Sequence, residues 1–244
     1  WQEQTAHQKK FHQLPSKIWY RMIAPLFLRK VRQIIPRSKR ACDFTKSYLH
    51  NVTDTVLDHG INVDKFTFSS EKTRTIISSS QLIARKNING IIRVFSAFTQ
   101  MEGYEDIRLL IAGRGDQRPM LESLAAELGV REKVEFLGFL PQTELNQYIK
   151  TSYCFLVNTR QDLNMVSIPE AVVSGTPILT NTQPASAGYI RANRLGIVKD
   201  HWNEYDLKKI IDENPVFVQN CIAYRDNLTN THIARTFLEI YRNK

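Results

Sequence analysis

The chain has 244 residues, of which 42% are hydrophobic and 10% aromatic, which suffices for one large or two modest cores. The three cysteines, Cys42, Cys154 and Cys221, are isolated and odd in number. They therefore exclude a disulfide framework and a cysteine metal site, and they predict a reduced, cytoplasmic setting. No apolar run has the length of a membrane span, and the first residues do not resemble a signal peptide.

The net charge of +9 is concentrated at the start of the chain. Residues 1–46 contain eleven Lys and Arg against two acidic residues, so the remainder is balanced. After Pro25, apolar residues from Phe27 to Ile35 follow a helical period among cations, which predicts an amphipathic helix. Two interpretations stay open: residues 9–46 dock on an anionic membrane surface, or the helix packs on a further lobe with its charges in water. No nucleic-acid motif or spaced aromatic platform is present, so we expect no nucleic acid as partner.

From residue 73 onward, short apolar runs alternate with helical patterns. This order predicts an α/β fold, a Rossmann-like parallel sheet with helices on both faces. The expected strands are residues 73–80, 107–113, 134–141, 152–159, 177–181 and a Gly-Ile-Val strand at 196–198. Residues 204–213 and 216–225 are predicted as surface helices, and residues 231–244 as a final amphipathic helix.

The segment 159–181 joins two of these strands through a polar loop and a short helix. Ser167 is the predicted N-cap, and Gly175 is predicted to end the helix. Ligands of parallel sheets bind beyond the carboxyl ends of the strands, where helix N-termini offer free N–H groups to anions. Asp162 and Glu170, with seven residues between them, bracket that position.

Glu170 has two interpretations. Ser167 and Glu170 have the spacing of a capping box, in which the glutamate bonds back to the N-cap. The wider segment, however, resembles the donor-binding signature of family 4 retaining glycosyltransferases, of the kind that assemble bacterial O-antigen, capsule and exopolysaccharide. The matching positions are Asp162, Glu170-Ala171 and Gly175-Thr176-Pro177. Asp162 departs from the glutamate that is usual at the first position and is one methylene shorter.

The resemblance extends to the domain organisation. Phe44-Thr45-Lys46 and the turn from His59 to Phe66 are similar to the segments that lead from the N-terminal to the C-terminal lobe of these GT-B enzymes. It implies that residues 1–54 are a helical, basic tail of the N-terminal acceptor lobe. Residues 55–225 would form the nucleotide-sugar-binding Rossmann-like domain, and residues 226–244 the helix that crosses back.

The loop after the first strand is altered relative to the family. The family has Gly-Arg-Leu followed by a lysine, whereas this chain has Ser80-Gln81-Leu82 followed by Lys86. The resemblance implies that Lys86 holds the donor diphosphate. Arg85 could replace the cation that Gln81 lacks, although two adjacent cations at such a junction are also typical of a solvated turn.

Gly113 and Gly115 have the spacing of two glycines in a dinucleotide-binding fingerprint. The third glycine is absent, with Arg118 in its place, so nicotinamide or flavin binding is not favoured. The glycosyltransferases also have Gly-x-Gly here, as a loop that lines the donor cleft. In the next segment, VEFLGFLP, the resemblance implies that main chain at Phe139 and Leu140 faces the nucleobase; taken alone, these residues only mark a strand end.

The resemblance assigns residues to roles. Lys86 and Asp162 are the expected catalytic residues, Lys86 at the leaving diphosphate and Asp162 at the donor-sugar hydroxyls. Glu170 would accept the two ribose hydroxyls. The expected donor-binding residues are Gln81, Arg85, Gly113, Arg114, Phe139, Leu140, Asn164, Met165, Val166, Ser167 and Glu170.

The expected reaction is transfer of a sugar from a UDP- or GDP-sugar, with retention of configuration, to a glycan or polyprenyl-linked acceptor. The resemblance implies surface polysaccharide synthesis, with the leaving phosphate as base and no protein nucleophile. Neither an Asp-x-Asp motif nor a His/Cys cluster is present, so we expect no metal and no other cofactor. The expected location is the cytoplasm, including the inner face of the cell membrane. The alternatives are a non-catalytic lobe that binds a nucleotide or a partner, and a basic peripheral membrane adaptor.

Overall fold

The computed structural model describes residues 18–28, 30–160 and 164–242, without the side chains of Tyr20 and Arg21. Asp162 therefore lies outside the described residues, as do residues 1–17, the first part of the basic segment. The chain divides into two compact units, one ending at Asp58 and the other beginning at His59. The predicted boundary lies four residues earlier, after residue 54.

The first unit is helical. A π-helix, Trp19–Ile23, continues into α1, Ala24–Leu28, and α2 spans Lys39–Lys46. Ser38 caps α2, because its Oγ accepts a hydrogen bond from the Ala41 N–H at 3.0 Å. A small core forms around Cys42, Leu49 and Val52.

The amphipathic helix predicted to run through Ile35 is wrong beyond Leu28, where α1 ends. The side chain of Asn51 donates to the carbonyl of Leu28 at 3.1 Å, and the N–H of Ile34 donates to the carbonyl of Asn51 at 2.8 Å. Ile34 also forms an isolated parallel bridge with Val52. The backbone groups that a longer helix would have satisfied internally are thus satisfied by a neighbouring segment.

The second unit contains the predicted sheet. Its strands are β1 Thr75–Ser79, β2 Arg108–Ala112, β3 Val134–Gly138, β4 Phe155–Leu156, β5 Ile178–Thr180 and β6 Gly196–Val198. All pairings are parallel and the order is β3-β2-β1-β4-β5-β6. This is the doubly wound order, in which the chain reverses direction across the sheet between β1 and β4. The prediction of a Rossmann-like sheet is confirmed.

Helices cover both faces of the sheet. They are α3 Ile88–Phe98, α4 Arg118–Glu127, α5 Gln142–Thr151, α6 Ser167–Val173, α7 Ala187–Ala192, α8 Glu204–Asp212, α9 Asn214–Tyr224 and α10 Asn230–Arg242. Ile76 and Ile77 of β1 are both fully buried but belong to different cores, one with α3, α4 and α8 and the other with α5, α6 and α7. Successive strand residues point to opposite faces, so a strand covered on both sides is apolar throughout.

The helices α8 and α9 are not only surface helices. Leu207 and Ile210 of α8 and Phe217 and Val218 of α9 are buried, so the prediction missed an apolar face on each helix. Helix α10, in contrast, has no buried residue. No helix in the described part of the chain is both long and apolar enough to cross a membrane.

Gly175 ends α6 as predicted. Its φ is +72°, and its N–H donates to the carbonyl of Val172 at 3.0 Å. The N–H of Thr176 then donates to the carbonyl of Ala171 at 2.9 Å. These two bonds form a Schellman motif, which requires a left-handed residue that glycine adopts without strain.

Candidate functional site

A pocket of about 470 Å³ opens beyond the carboxyl ends of β1, β2 and β3. We call it the Gln81 pocket. It is lined by Ser79, Ser80, Gln81, Ala112, Gly113, Arg114, Phe139, Leu140, Gln142 and Leu145. Five of the residues predicted to bind the donor therefore lie around one cavity, although they come from three separate loops.

Gly113 allows these loops to approach each other. Its φ is +133°, and a Cβ on this residue would lie 1.8 Å from the carbonyl oxygen of Ser80. The N–H of Gly113 donates to the carbonyl of Gly138 at 2.6 Å, and the N–H of Ser80 donates to the carbonyl of Ala112 at 3.1 Å. The glycine thus lets backbone from all three strand ends meet at the pocket wall.

Arg114 shares the pocket with Gln81. Its guanidinium carbon lies 5.6 Å from the centre of the Phe139 ring, within the range of a cation–π contact. The Phe139 side chain is 65% exposed, so the ring remains available to a ligand on its other side. Arg114 lines the pocket together with Gln81, whereas Arg85 is not among the lining residues.

Glu170 lies behind the pocket wall. The residue is only 7% exposed, and its carboxylate accepts a hydrogen bond from Gln142 Nε2 at 3.3 Å. Gln142 Oε1 in turn accepts from Lys65 Nζ at 3.4 Å. Burial raises the pKa of Glu170 to about 7, while the bond from Gln142 opposes that rise. Its carboxyl group is thus one hydrogen bond away from a side chain that lines the pocket.

The capping-box interpretation of Glu170 is wrong. Val166 precedes α6 in a helical conformation, Ser167 is the first residue of the helix, and no side chain caps it. The N–H of Glu170 donates to the carbonyl of Val166 at 3.1 Å, as in an ordinary helical turn. The carboxylate points towards α5 because its partner, Gln142, lies at the start of that helix.

Buried polar contacts hold α5 against α6 and so fix the positions of Gln142 and Glu170. Asn146 of α5 donates to the Ser174 hydroxyl at 2.8 Å. The ammonium group of Lys72 donates to the carbonyl of Lys150, in the last turn of α5, at 2.8 Å and to the carbonyl of Gly175, just after α6, at 2.7 Å. Burial lowers the pKa of Lys72 to about 8. These bonds satisfy helix-end carbonyls and set the distance between Gln142 and Glu170.

Lys86 and Arg85 lie in a 3₁₀ helix, Ala84–Lys86, directly after the Gln81 loop. The carbonyl of Arg85 accepts bonds from the Arg160 N–H at 2.8 Å and from the Thr159 hydroxyl at 3.1 Å. These bonds attach the segment to the loop between β4 and α6. Lys86 is half-buried and Arg85 is exposed, and neither lines the Gln81 pocket.

The other predicted donor-binding residues are 164–166, directly before α6, and Ser167, its first residue. Asn164 and Val166 are exposed, Ser167 is half-buried, and the Met165 side chain is buried in the core. Met165 can therefore contribute only main-chain atoms to a ligand. Asp162 lies outside the described residues, and its assignment stays a prediction.

Sequence reasoning missed Gln142 and Lys65. Neither belongs to a motif, and their proximity to Glu170 follows from the packing of distant segments. Proximity of Gln142 to the pocket could have been inferred from its position two residues after Leu140. Among the described residues, no group of three or more His, Cys, Asp and Glu side chains could hold a metal ion.

Comparison with known proteins decides the family. Residues 62–214, more than half of the chain, match the family described as glycosyl transferases group 1. The chain belongs to the group 1 glycosyl transferases. A curated relative, the alpha-monoglucosyldiacylglycerol synthase of Streptococcus pneumoniae, is 24% identical over 215 residues, which are 82% of this chain and 47% of the relative.

Several solved structures share the fold. HepE of Anabaena, crystallised with UDP, superposes with a TM-score of 0.74 at 14% identity, over 88% of this chain and 65% of that protein. WaaG, a glycosyltransferase involved in lipopolysaccharide biosynthesis, has a TM-score of 0.64 at 18% identity, over 82% of this chain and 61% of that protein. The chain spans about half the length of the curated relatives that it matches over most of its own length.

Proposed function

We propose that this chain is the donor-binding half of a retaining glycosyltransferase that uses a nucleoside diphosphate sugar. The observation that carries the proposal is the buried Glu170 carboxylate, linked through Gln142 to the Gln81 pocket at the carboxyl rim of a Rossmann-like sheet. Membership of the group 1 glycosyl transferases supports it, as do the solved structures of HepE with UDP and with UDP-glucose.

The Gln81 pocket suits a nucleoside. Phe139, Leu140 and Leu145 supply apolar surface for a base. Main chain at Phe139 and Leu140 would supply hydrogen-bonding groups for its edge. A carboxylate suits a ribose diol, because its two oxygens accept from two neighbouring hydroxyls. Glu170 would take this role after its bond from Gln142 rearranges, and it would act in its ionised form.

Lys86 would stabilise the leaving diphosphate. A fixed cation lowers the energy of the negative charge that develops as the glycosidic bond breaks, without reorganising during the reaction. Arg114 beside Gln81 supplies a second cation at the same rim. Main-chain groups of residues 164–167 and the side chain of Asp162 would hold the donor sugar. By resemblance to family 4 enzymes, the leaving phosphate acts as the base on the same face, so no protein nucleophile is assigned.

Calorimetric titration with UDP, GDP and ADP, with and without magnesium and EDTA, tests this proposal. We expect one diphosphate to bind more tightly than the others, with the same affinity in EDTA. Absence of binding by all three would refute the donor-site assignment. Binding without any transfer or hydrolysis of the matching sugar donor would instead support the alternative of a non-catalytic nucleotide-binding lobe.

The acceptor would be a glycan or a polyprenyl-linked sugar in surface polysaccharide synthesis, at the inner face of the cell membrane. An exposed apolar face of the first unit supports a membrane location. Trp19, Met22, Leu26 and Phe27 are all at least 49% exposed, in a region that also carries many cations. Aromatic and aliphatic side chains among cations are typical of segments that lie in the interface of anionic membranes.

Vesicle co-sedimentation tests the membrane part. We expect binding to vesicles that contain phosphatidylglycerol, release by salt, and weak binding to neutral phosphatidylcholine vesicles. Replacing Met22 and Phe27 by Glu should abolish binding. Val216→Glu, an exposed apolar position in the second unit, is the matched control and should bind as the parent does. Equal binding to neutral and anionic vesicles would contradict the electrostatic contribution.

A further inference from the structure

A row of three side chains leads from the surface of the second unit to the buried carboxylate of Glu170. Lys65 Nζ donates to Gln142 Oε1 at 3.4 Å, and Gln142 Nε2 donates to Glu170 Oε1 at 3.3 Å. Lys65 is exposed, whereas Glu170 is only 7% exposed. The three residues come from a turn, from the first residue of α5 and from α6, so the packing of separate elements forms this row.

The turn that carries Lys65 has a defined position against α5. The carbonyl of Asn62 accepts from the N–H groups of Lys65 at 3.1 Å and Phe66 at 3.2 Å, and the Phe66 side chain is buried. The next residue, Thr67, donates from its N–H to Asn146 Oδ1 at 3.1 Å. Because its neighbours are anchored in this way, Lys65 reaches Gln142 from a fixed backbone.

A second row of bonds lies about one helical turn further along. Asn146 Nδ2 donates to the carbonyl of Thr67 at 3.0 Å and to the hydroxyl of Ser174 at 2.8 Å. Asn146 and Ser174 are almost completely buried, and each lies four positions after its counterpart in the first row, Gln142 or Glu170. Residues four apart share one face of a helix, so the buried row fixes the register at which the first row forms.

The charges at the two ends of the first row determine the orientation of the Gln142 amide. A lysine ammonium group only donates, and an ionised carboxylate only accepts. An amide between them satisfies both when its oxygen faces Lys65 and its nitrogen faces Glu170, which is the orientation observed. A protonated Glu170 would need the opposite orientation in order to donate its proton to the amide oxygen, and Lys65 already bonds to that oxygen.

The environment of Glu170 makes this amide decisive. Burial raises the pKa of Glu170 to about 7, and the bond from Gln142 opposes that rise. Lys72 and Arg225 bond instead to carbonyls at the far end of α6. In the described part of the chain, the charged side chains on the turn and on the segments packed against α6, apart from Lys65, are Asp64, Lys72, Glu144, Lys150, Arg225 and Asp226.

We propose that Lys65 is a positioning residue of the donor site, which holds the Gln142 amide with its donor towards Glu170 and thereby keeps that carboxyl group ionised. Without Lys65 the amide can turn over and accept from a neutral carboxyl group, a form that is unable to accept from both hydroxyls of a diol. Only the ligand of the ionised group, a ribose diol, rests on the proposed function; the effect of Lys65 on Glu170 belongs to the free protein.

Carbon-13 NMR of the whole chain, labelled at the glutamate carboxyl carbon, tests the proposal without a ligand. Glu170→Gln identifies the signal of Glu170, which we expect to titrate near pH 7. Lys65→Met should move the midpoint upward by about 0.5 pH unit or more, since the amide no longer favours the ionised form. Lys65→Arg keeps a charged donor and should restore the parent midpoint. An unchanged midpoint in Lys65→Met would overturn the proposal.

Two further variants separate the orientation of the amide from the charge of the lysine. Lys150 is the matched control, because it lies on α5 and donates to the hydroxyl of Thr67 at 3.4 Å. Lys150→Met therefore removes the same charge without touching Gln142 and should leave the midpoint in place. In a chain that already carries Gln142→Ala, Lys65→Met should have no further effect, because Lys65 acts through the amide. A shift of the same size in that background would show a direct electrostatic effect and overturn the positioning role.

Calorimetric titration with UDP separates this inference from the proposed function. Lys65→Met should weaken UDP about two- to threefold at pH 6.5 and hardly at pH 8.5, where Glu170 is ionised in both proteins. A loss of equal size at both pH values would mean that Lys65 contacts the ligand or supports the fold, and it would overturn the positioning role. If the parent binds no UDP, the proposed function fails, and the NMR midpoints alone decide the role of Lys65.

Discussion

The two pockets lie on one rim but differ in what surrounds their polar groups. The Gln81 pocket combines Phe139, Leu140 and Leu145 with a buried carboxyl group behind Gln142. The second pocket of the rim, about 460 Å³, has only polar side chains among its described lining residues, which are Asn87, Asn158, Thr159, Arg160, Asn181, Gln183, Asp200 and His201. Hydrogen bonds from the N–H and the hydroxyl of Thr182 hold the pKa of the exposed Asp200 carboxyl below its usual range. Burial raises the pKa of Glu170 to about 7, whereas hydrogen bonds in an exposed position lower that of Asp200.

The difference shows how one fold can present two chemistries. At β1–β3 the loops approach each other closely at Gly113 and present apolar side chains beside a buried carboxyl group. At β4–β6 four carboxamides are among the lining residues. The following variants are ordered from the largest expected effect to the smallest, and they act on the Gln81 pocket or on residues proposed to bind the donor.

Gly113→Ala should have the largest effect, and it should act on stability. The added Cβ would lie 1.8 Å from the Ser80 carbonyl in a backbone conformation that alanine rarely adopts. We expect a loss of about 3 kcal/mol or more in the free energy of unfolding, measured with urea. Gly90→Ala is the matched control, because its Cβ meets only flexible side-chain ends; it should change stability by less than about 1 kcal/mol. Equal stability of the two variants would contradict the close approach of the Gly113 and Ser80 backbones at the wall of the Gln81 pocket.

Lys86→Ala should weaken UDP or GDP binding by about 1.5–3 kcal/mol and leave the nucleoside unaffected, because only the diphosphate engages a charge-assisted bond. Calorimetry with UDP and uridine measures both. Lys209→Ala, which removes one exposed lysine from α8, is the control for net charge. An equal loss for nucleoside and diphosphate would remove the role assigned to Lys86.

Glu170→Gln should weaken UDP or GDP by about 1–3 kcal/mol, because the charged acceptor of the ribose diol is lost. The melting temperature should stay the same or rise, since a buried carboxyl group is replaced by a neutral amide. If the variant binds nucleotide as well as the parent does, the ribose assignment is wrong. Asp162→Asn should instead spare free UDP and impair use of the sugar donor.

The pH dependence sharpens the same test. The pKa of Glu170 is about 7 in the folded chain and 4.5 in the reference state. The folded state therefore binds more protons between these values, so this group lowers the free energy of unfolding as pH rises from 4.5 through 7. Ligand binding has the opposite trend, because UDP needs the ionised carboxylate, and affinity should rise from pH 6 to 8. The Gln variant should lack both contributions, and an identical pH profile for parent and variant would contradict ionisation of Glu170.

Gln142→Ala should have the smallest effect. Its amide donates to Glu170, and that bond lowers the pKa of the carboxyl group against the effect of burial. Removing it should move the pH midpoint of UDP binding upward and weaken UDP by about 0.5–1.5 kcal/mol at pH 7. If the midpoint does not move, the hydrogen bond from Gln142 does not influence the pKa of Glu170.

Much of the fold could be predicted from local pattern. Apolar runs fixed the position of most strands, although β4 is limited to Phe155–Leu156 within the predicted 152–159. Gly175 was identified as a helix stop because the left-handed conformation is a local property of the backbone. The motif around Glu170 likewise led to the family, since the matching residues are close in sequence.

Local pattern failed where distant segments compete for the same groups. The helix predicted through Ile35 ends at Leu28, where the side chain of Asn51 donates to the Leu28 carbonyl. Glu170 fits a capping box by spacing, but its carboxylate bonds to Gln142, which lies 28 residues earlier. In both cases a side chain brought by tertiary packing replaced the partner that lay nearby in sequence.

The sequence by itself determined the alternation of strands and helices, the turn at Gly175 and the presence of a lysine and two acids at motif spacing. Only the tertiary structure decided that Arg114 lines the same pocket as Gln81, that Glu170 is buried, and that amides from separate loops line a second pocket. Backbone conformation depends on neighbouring residues, whereas burial, pKa and pocket lining depend on contacts between segments that the sheet order brings together.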